Sequence, residues 1–167
     1  MPNEIAADLL KVGLDDARAR HAAIVNLILF TDTQALGLLR LYVPLGIATG
    51  SGAVAAFASN PAIPKAAGLA LIAVTALLIA ACWLCFEAMK TAAINLPGRG
   101  AEFWQWSVEA GATPAFVAYM ANLREKQTAN TALNVRTARA LARSKRCAIA
   151  APPTAIIVGA LAIWAGF

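Results

Sequence analysis

Residues 66–86 read AAGLALIAVTALLIAACWLCF, 21 positions without a charge and dense in Leu, Ile and Ala. A membrane-crossing helix needs about 20 apolar residues at about 1.5 Å rise each. This stretch therefore predicts a transmembrane helix. Two more uncharged stretches flank it: residues 41–58, LYVPLGIATGSGAVAAFA, and residues 147–167, CAIAAPPTAIIVGALAIWAGF. The first is richer in Gly and Ser, but Arg40 at its edge can snorkel to the headgroups and lengthen it. The last carries Pro152 and Pro153 near its start, where a helix loses least from a missing N–H.

Composition agrees. Of 167 residues 60% are hydrophobic and 14% charged, against roughly 45–50% and about 25% in soluble domains. Three spans thus predict an all-α integral membrane protein. A net charge of +5 would raise nucleic acid as a partner in a soluble chain. In a membrane protein it reads as loops facing anionic lipid, so no specific nucleic acid is expected.

Four segments follow. Residues 1–40 form an amphipathic N-terminal helix and the entry to the first span. Residues 41–89 form a two-span hairpin whose turn is Ser59-Asn60-Pro61-Ala62-Ile63-Pro64-Lys65. Residues 90–146 form a long helical stalk, and residues 147–167 the third span, continuous with it. In the first segment Ile5, Leu9, Val12, Ala17, Ile24, Leu27 and Ile28 recur at near-helical spacing. Thr31-Asp32-Thr33 interrupts that run and offers a cap. Residues 22–39 would be a fourth crossing but for Asp32. The polar, acidic start is not a secretory signal, so the chain is expected to keep its first residues.

Leu96-Pro97-Gly98-Arg99-Gly100 breaks the chain after the second span. Phe103, Trp104 and Trp106 follow, rings that favour the headgroup level. Thr113-Pro114 starts the long helix. Nine Lys and Arg lie in residues 90–146 and one in 59–65. The positive-inside rule therefore makes the N-terminus and residues 90–146 cytoplasmic, with Phe167 on the far side of the membrane.

Chemistry-bearing residues are few. Cys82-Trp83-Leu84-Cys85 matches C-x-x-C but lies inside a span without a second pair, which favours small apolar filler over zinc or redox work. His21 is the sole histidine. No nucleophile motif, phosphate loop or metal-ligand cluster appears, so no catalytic residue, metal or cofactor is expected. Gly46 and Gly50, four apart, predict close helix contact within the hairpin or between protomers of a homo-oligomer.

The long helix carries a stripe at alternating steps of 4 and 3: Phe116, Met120, Leu123, Gln127, Asn130, Asn134, Thr137 and Leu141. It is either a solvated face or a wet, ligand-facing seam whose amides meet partner amides. On the second reading Gln127, Asn130, Asn134 and Thr137 gate, and leucines at 130 and 134 tighten the assembly. Arg136, Arg139, Arg143, Lys145 and Arg146 form a basic collar before the last span, for lipid headgroups or a phosphate-bearing ligand.

The order of parts resembles the transmembrane effector domain, PycTM, of bacterial Pycsar and related cyclic-nucleotide antiphage systems. That family has an A-D-x-K-A-x-x-L-L motif, a two-span hairpin, a Pro-marked exit, and a long helix with a Lys before its final span. Thr31-Asp32-Thr33-Gln34-Ala35-Leu36-Gly37-Leu38-Leu39 looks like the motif, with Gln34 where the family has Lys. Leu96-Pro97 looks like the exit and Lys145 like the late lysine. The resemblance implies self-assembly and disruption of the inner membrane on a cyclic-nucleotide or cyclase-linked signal. With no cyclic-nucleotide-binding domain in these residues, sensing would fall to the membrane domain or a partner. An accessory subunit of a larger membrane complex is the rival reading. A small-solute channel is a weaker one, since no charge lies mid-membrane.

Overall fold

The computed structural model describes residues 2–58, 64–89 and 94–167, with side chains from Lys11 onward. Four helices follow one another: α1 (Pro2–Phe57), α2 (Lys65–Ala88), α3 (Ala101–Ala110) and α4 (Ala112–Trp164). No strand occurs among the described residues. Three of the helices, α1, α2 and α4, are long and apolar enough to cross a membrane. The turn expected at Ser59–Ile63, the side chains of Ile5 and Leu9, and Lys90 lie outside the described residues.

The expected break at Thr31-Asp32-Thr33 is absent, and α1 passes straight through it. No Gly or Pro stands at these positions, and threonine hydroxyls inside a helix can bond back to the preceding turn. Residues 22–39 and the uncharged stretch that follows them therefore belong to one continuous helix. Its 56 residues reach about 84 Å, against a hydrocarbon core of about 30 Å.

The inward face of α1 also differs from the apolar pattern. Leu14, Ala17, His21, Ile24, Ile28, Thr31, Ala35, Leu38 and Tyr42 are buried or half-buried, at alternating steps of 3 and 4. That is the 3.5-residue repeat of a left-handed bundle seam. Val12 (65% exposed) and Leu27 (52%) fall off it and face outward, while polar His21 and Thr31 lie on it. On α4 the stripe from Phe116 to Leu141 is buried or half-buried throughout, so it is not a solvated face.

The chain divides into two compact units, Met1–Phe30 with Thr91–Val135 and Thr31–Lys90 with Arg136–Phe167. α1 and α4 contribute to both. In the second unit the helices alternate in direction. Along α1 Gly46, Gly50 and Gly52 meet Leu78, Thr75 and Leu71 of α2 in turn, so position numbers rise on one helix as they fall on the other. α4 runs antiparallel to α2 as well: Ser144 lies against Ala81, and Gly159 against Ala70. This register sets the three uncharged stretches side by side. Ala35, Leu39, Tyr42, Leu78, Ala81, Cys85, Ala88 and Leu141 form the core.

Small residues allow this closeness. A Cβ on Gly68 would lie 2.7 Å from Phe57 Cε2 and 3.0 Å from Ala56 Cβ. Three prolines sit inside helices: Pro44 in α1, and Pro152 and Pro153 in α4. Lacking N–H groups, the latter two leave the carbonyls of Ala148 and Ile149 without their usual i+4 donors.

Candidate functional site

In the first unit, the breaker residues after α2 are held by side chains from both long helices. Asn130, 1% exposed, donates Nδ2–H to the Asn95 carbonyl at 2.9 Å and accepts the Asn95 N–H on Oδ1 at 3.0 Å. His21, fully buried, lies with Nε2 2.7 Å from the same carbonyl. A carbonyl only accepts, so Nε2 carries a proton, and Nδ1 is buried without a partner. The Asn95 carbonyl thus fills both lone pairs. Lys126 Nζ donates to the carbonyls of Leu96 and Gly98, each at 3.0 Å. Gly98 has φ 107°, a left-handed conformation that glycine adopts without a Cβ clash. Gln127 reaches α1, donating to the Ala17 carbonyl at 2.7 Å.

An aromatic group stands at the corner between α3 and α4. Phe103 packs edge-on to Trp104, centroids 5.3 Å apart at 81°. Trp104 and Phe103 each lie 6.2 Å from Tyr119. Two guanidiniums cover these rings: Arg99 lies 4.8 Å over Phe103 and Arg18 5.2 Å over Tyr119, within cation–π range. Arg18 Nε also donates to the Tyr119 hydroxyl at 3.1 Å. Gly111, with φ 88°, ends α3 by donating its N–H to the Ser107 carbonyl at 3.1 Å, which turns the chain into α4.

In the second unit polar side chains join the helices where water is scarce. The Thr75 and Thr49 hydroxyls bond across the hairpin at 2.9 Å. Ser144 donates to the Ala81 carbonyl at 2.8 Å. Its only hydrogen being used, it accepts the Cys85 thiol at 3.1 Å. Cys85 lies in the core, with Cys82 and Cys147 packed around it, and all three are free thiols.

The residues singled out from sequence separate by unit and direction. Gln127, Asn130 and Asn134 belong to the first unit and face inward, Asn134 half-buried. Thr137 is 3% exposed in the second unit. Arg139, Arg143 and Lys145 are exposed. Arg136, Arg139, Arg143 and Arg146 repeat at steps of 3, 4 and 3, giving α4 one basic stripe opposite its seam. Arg136 pairs with Glu87 at 3.7 Å, an exposed contact of small energetic consequence. Gly46 and Gly50 face α2 within the hairpin.

Sequence reading passed over His21, Asn95, Arg18 and Tyr119. Their long-range partners lie 35, 74 or 101 positions away, beyond any local spacing. A histidine at a seam position of a mostly apolar repeat was the one available signal. Among the described residues no group of His, Cys, Asp and Glu could hold a metal ion. Compared with protein-family models, curated proteins and solved structures, the chain matches none.

Proposed function

We propose that the protein is a non-enzymatic effector of a bacterial inner membrane, which self-assembles and perturbs the bilayer on a nucleotide-linked signal. One observation carries this reading. Three helices, α1, α2 and α4, are long and apolar enough to cross a membrane; in the second unit their uncharged stretches lie side by side, and α4 also carries the buried amide of Asn130 in the first unit. The order of parts shared with the PycTM domain gives the signal its class, and the lipid bilayer is the target. In this reading the N-terminus and residues 90–146 are cytoplasmic, and Arg139, Arg143 and Lys145 face anionic headgroups.

Regulated expression in bacteria carrying a membrane-potential dye tests it, with and without a co-expressed nucleotide cyclase. Depolarisation that depends on the protein and rises with the cyclase is expected. An unchanged potential, with the protein shown to be in the membrane, refutes it.

A second reading has its own observation. On α3 Trp104, Trp106 and Val108 are 49%, 42% and 85% exposed, a patch outside the uncharged spans that suits an accessory subunit docking on a larger complex. Stable co-purification with one membrane complex, without depolarisation, would favour it.

A further inference from the structure

We propose that the cavity at the α3–α4 corner binds a small, flat aromatic molecule bearing one negative charge. The cavity has a volume of about 460 Å³ and is bounded by Leu14 and Arg18 of α1, Phe103 and Trp104 of α3, and Phe116 and Tyr119 of α4. That volume lies in the lower part of the range for small-ligand sites, about 300–1,000 Å³. It admits one or two fused rings and a charged group, and little more.

The walls select the ring. Phe103, Trp104 and Tyr119 stand 5.3–6.2 Å apart, and a flat ring entering beside them adds to the stack. Trp104 is 49% exposed, so an indole face remains to be covered. The charge is selected by Arg18, the sole charged side chain among the bounding residues. One of its five N–H donors serves Tyr119. Its Nη1 lies 4.0 Å from Asp15 Oδ1, with side chains 43% and 63% exposed, a pairing that an incoming anion displaces at little cost. Anchored over the Tyr119 ring, the guanidinium is preorganised toward the cavity. An acyl chain would meet the same walls but leave these donors unanswered, and a neutral ring would do the same. Aromatic carboxylates and sulfonates share the required chemistry. The site goes beyond the effector reading and is independent of it, since binding is measured without any leakage.

Calorimetry on the full chain in phosphatidylcholine nanodiscs tests the proposal with three singly charged probes: benzoate, indole-3-acetate and naphthalene-1-sulfonate. At least one is expected to bind with Kd below about 1 mM, and which one separates a carboxylate from a sulfonate and one ring from two. Arg18→Met keeps the aliphatic stem and should weaken that probe about tenfold or more, while neutral 1-naphthalenemethanol binds wild type no better than it binds the variant. Asp15→Asn, at an exposed position, frees the guanidinium and should tighten binding about two- to fivefold. This variant decides the matter should Arg18→Met lose its helicity. Failure of all three probes, an unchanged affinity in Arg18→Met, or no tightening in Asp15→Asn overturns the proposal.

Discussion

Replacing Asn130 by Leu removes the amide that faces both polar groups of the Asn95 peptide. Asn130 is 1% exposed, and its contacts are 2.9 and 3.0 Å long, so two good hydrogen bonds disappear. The Asn95 carbonyl keeps His21 at 2.7 Å, whereas the Asn95 N–H loses its acceptor in a half-buried position. Each bond contributes about 1 kcal/mol net, and a stranded donor raises the loss toward 3. We therefore expect about 2–4 kcal/mol of destabilisation, or roughly a 30- to 700-fold rise in local opening at about 1.4 kcal/mol per decade. Hydrogen exchange at the Asn95 amide and along α1 near His21 reads this directly. Thr128→Ala, which removes an exposed hydroxyl bonded to its own helix, should stay within about 0.5 kcal/mol. Should the leucine variant protect these amides as well as wild type does, Asn130 is not holding the turn. Leucines at 130 and 134, read from sequence as tightening an assembly, are on this geometry expected to loosen the chain itself.

Gly68→Ala places a methyl 3.0 Å from Ala56 Cβ and should cost about 1–3 kcal/mol. Gly50→Ala meets Thr75 Cγ2 at an ordinary 3.6 Å and should be tolerated; equal denaturant midpoints in micelles would contradict this. A reporter active only outside the cytoplasm should work when fused after Phe167, and a silent fusion would reverse the topology inferred from the basic residues.

The spans were legible because length without charge is a local property that a bilayer reads directly. The seam of α4 was legible for a similar reason: its repeat runs through Leu123 and Leu141 with amides between them. α1 was misread twice. Thr31-Asp32-Thr33 has the composition of a cap, but capping needs a reason for the helix to stop, and residues on either side continue the same seam. Val12 and Leu27 suggested a face that packing does not use, because the 3.5-residue repeat is set by partner helices and places His21 and Thr31 inside. The cavity at the α3–α4 corner could not be seen at all, since Arg18 and Tyr119 meet only once the chain has folded back over 101 positions.

That separation has a consequence in time. The α1–α2 hairpin needs only residues up to Ala88 and can close in the membrane while the ribosome is still adding the rest. The part of α1 that belongs to the first unit must wait for Tyr119, Gln127 and Asn130, so the earlier-made stretch of this helix is packed after the later-made one. At about 5–20 residues per second, His21 and the charged turns around it stand for several seconds without the partners that bury them. Chaperones or proteases have that interval in which to meet a chain whose first unit is not yet complete.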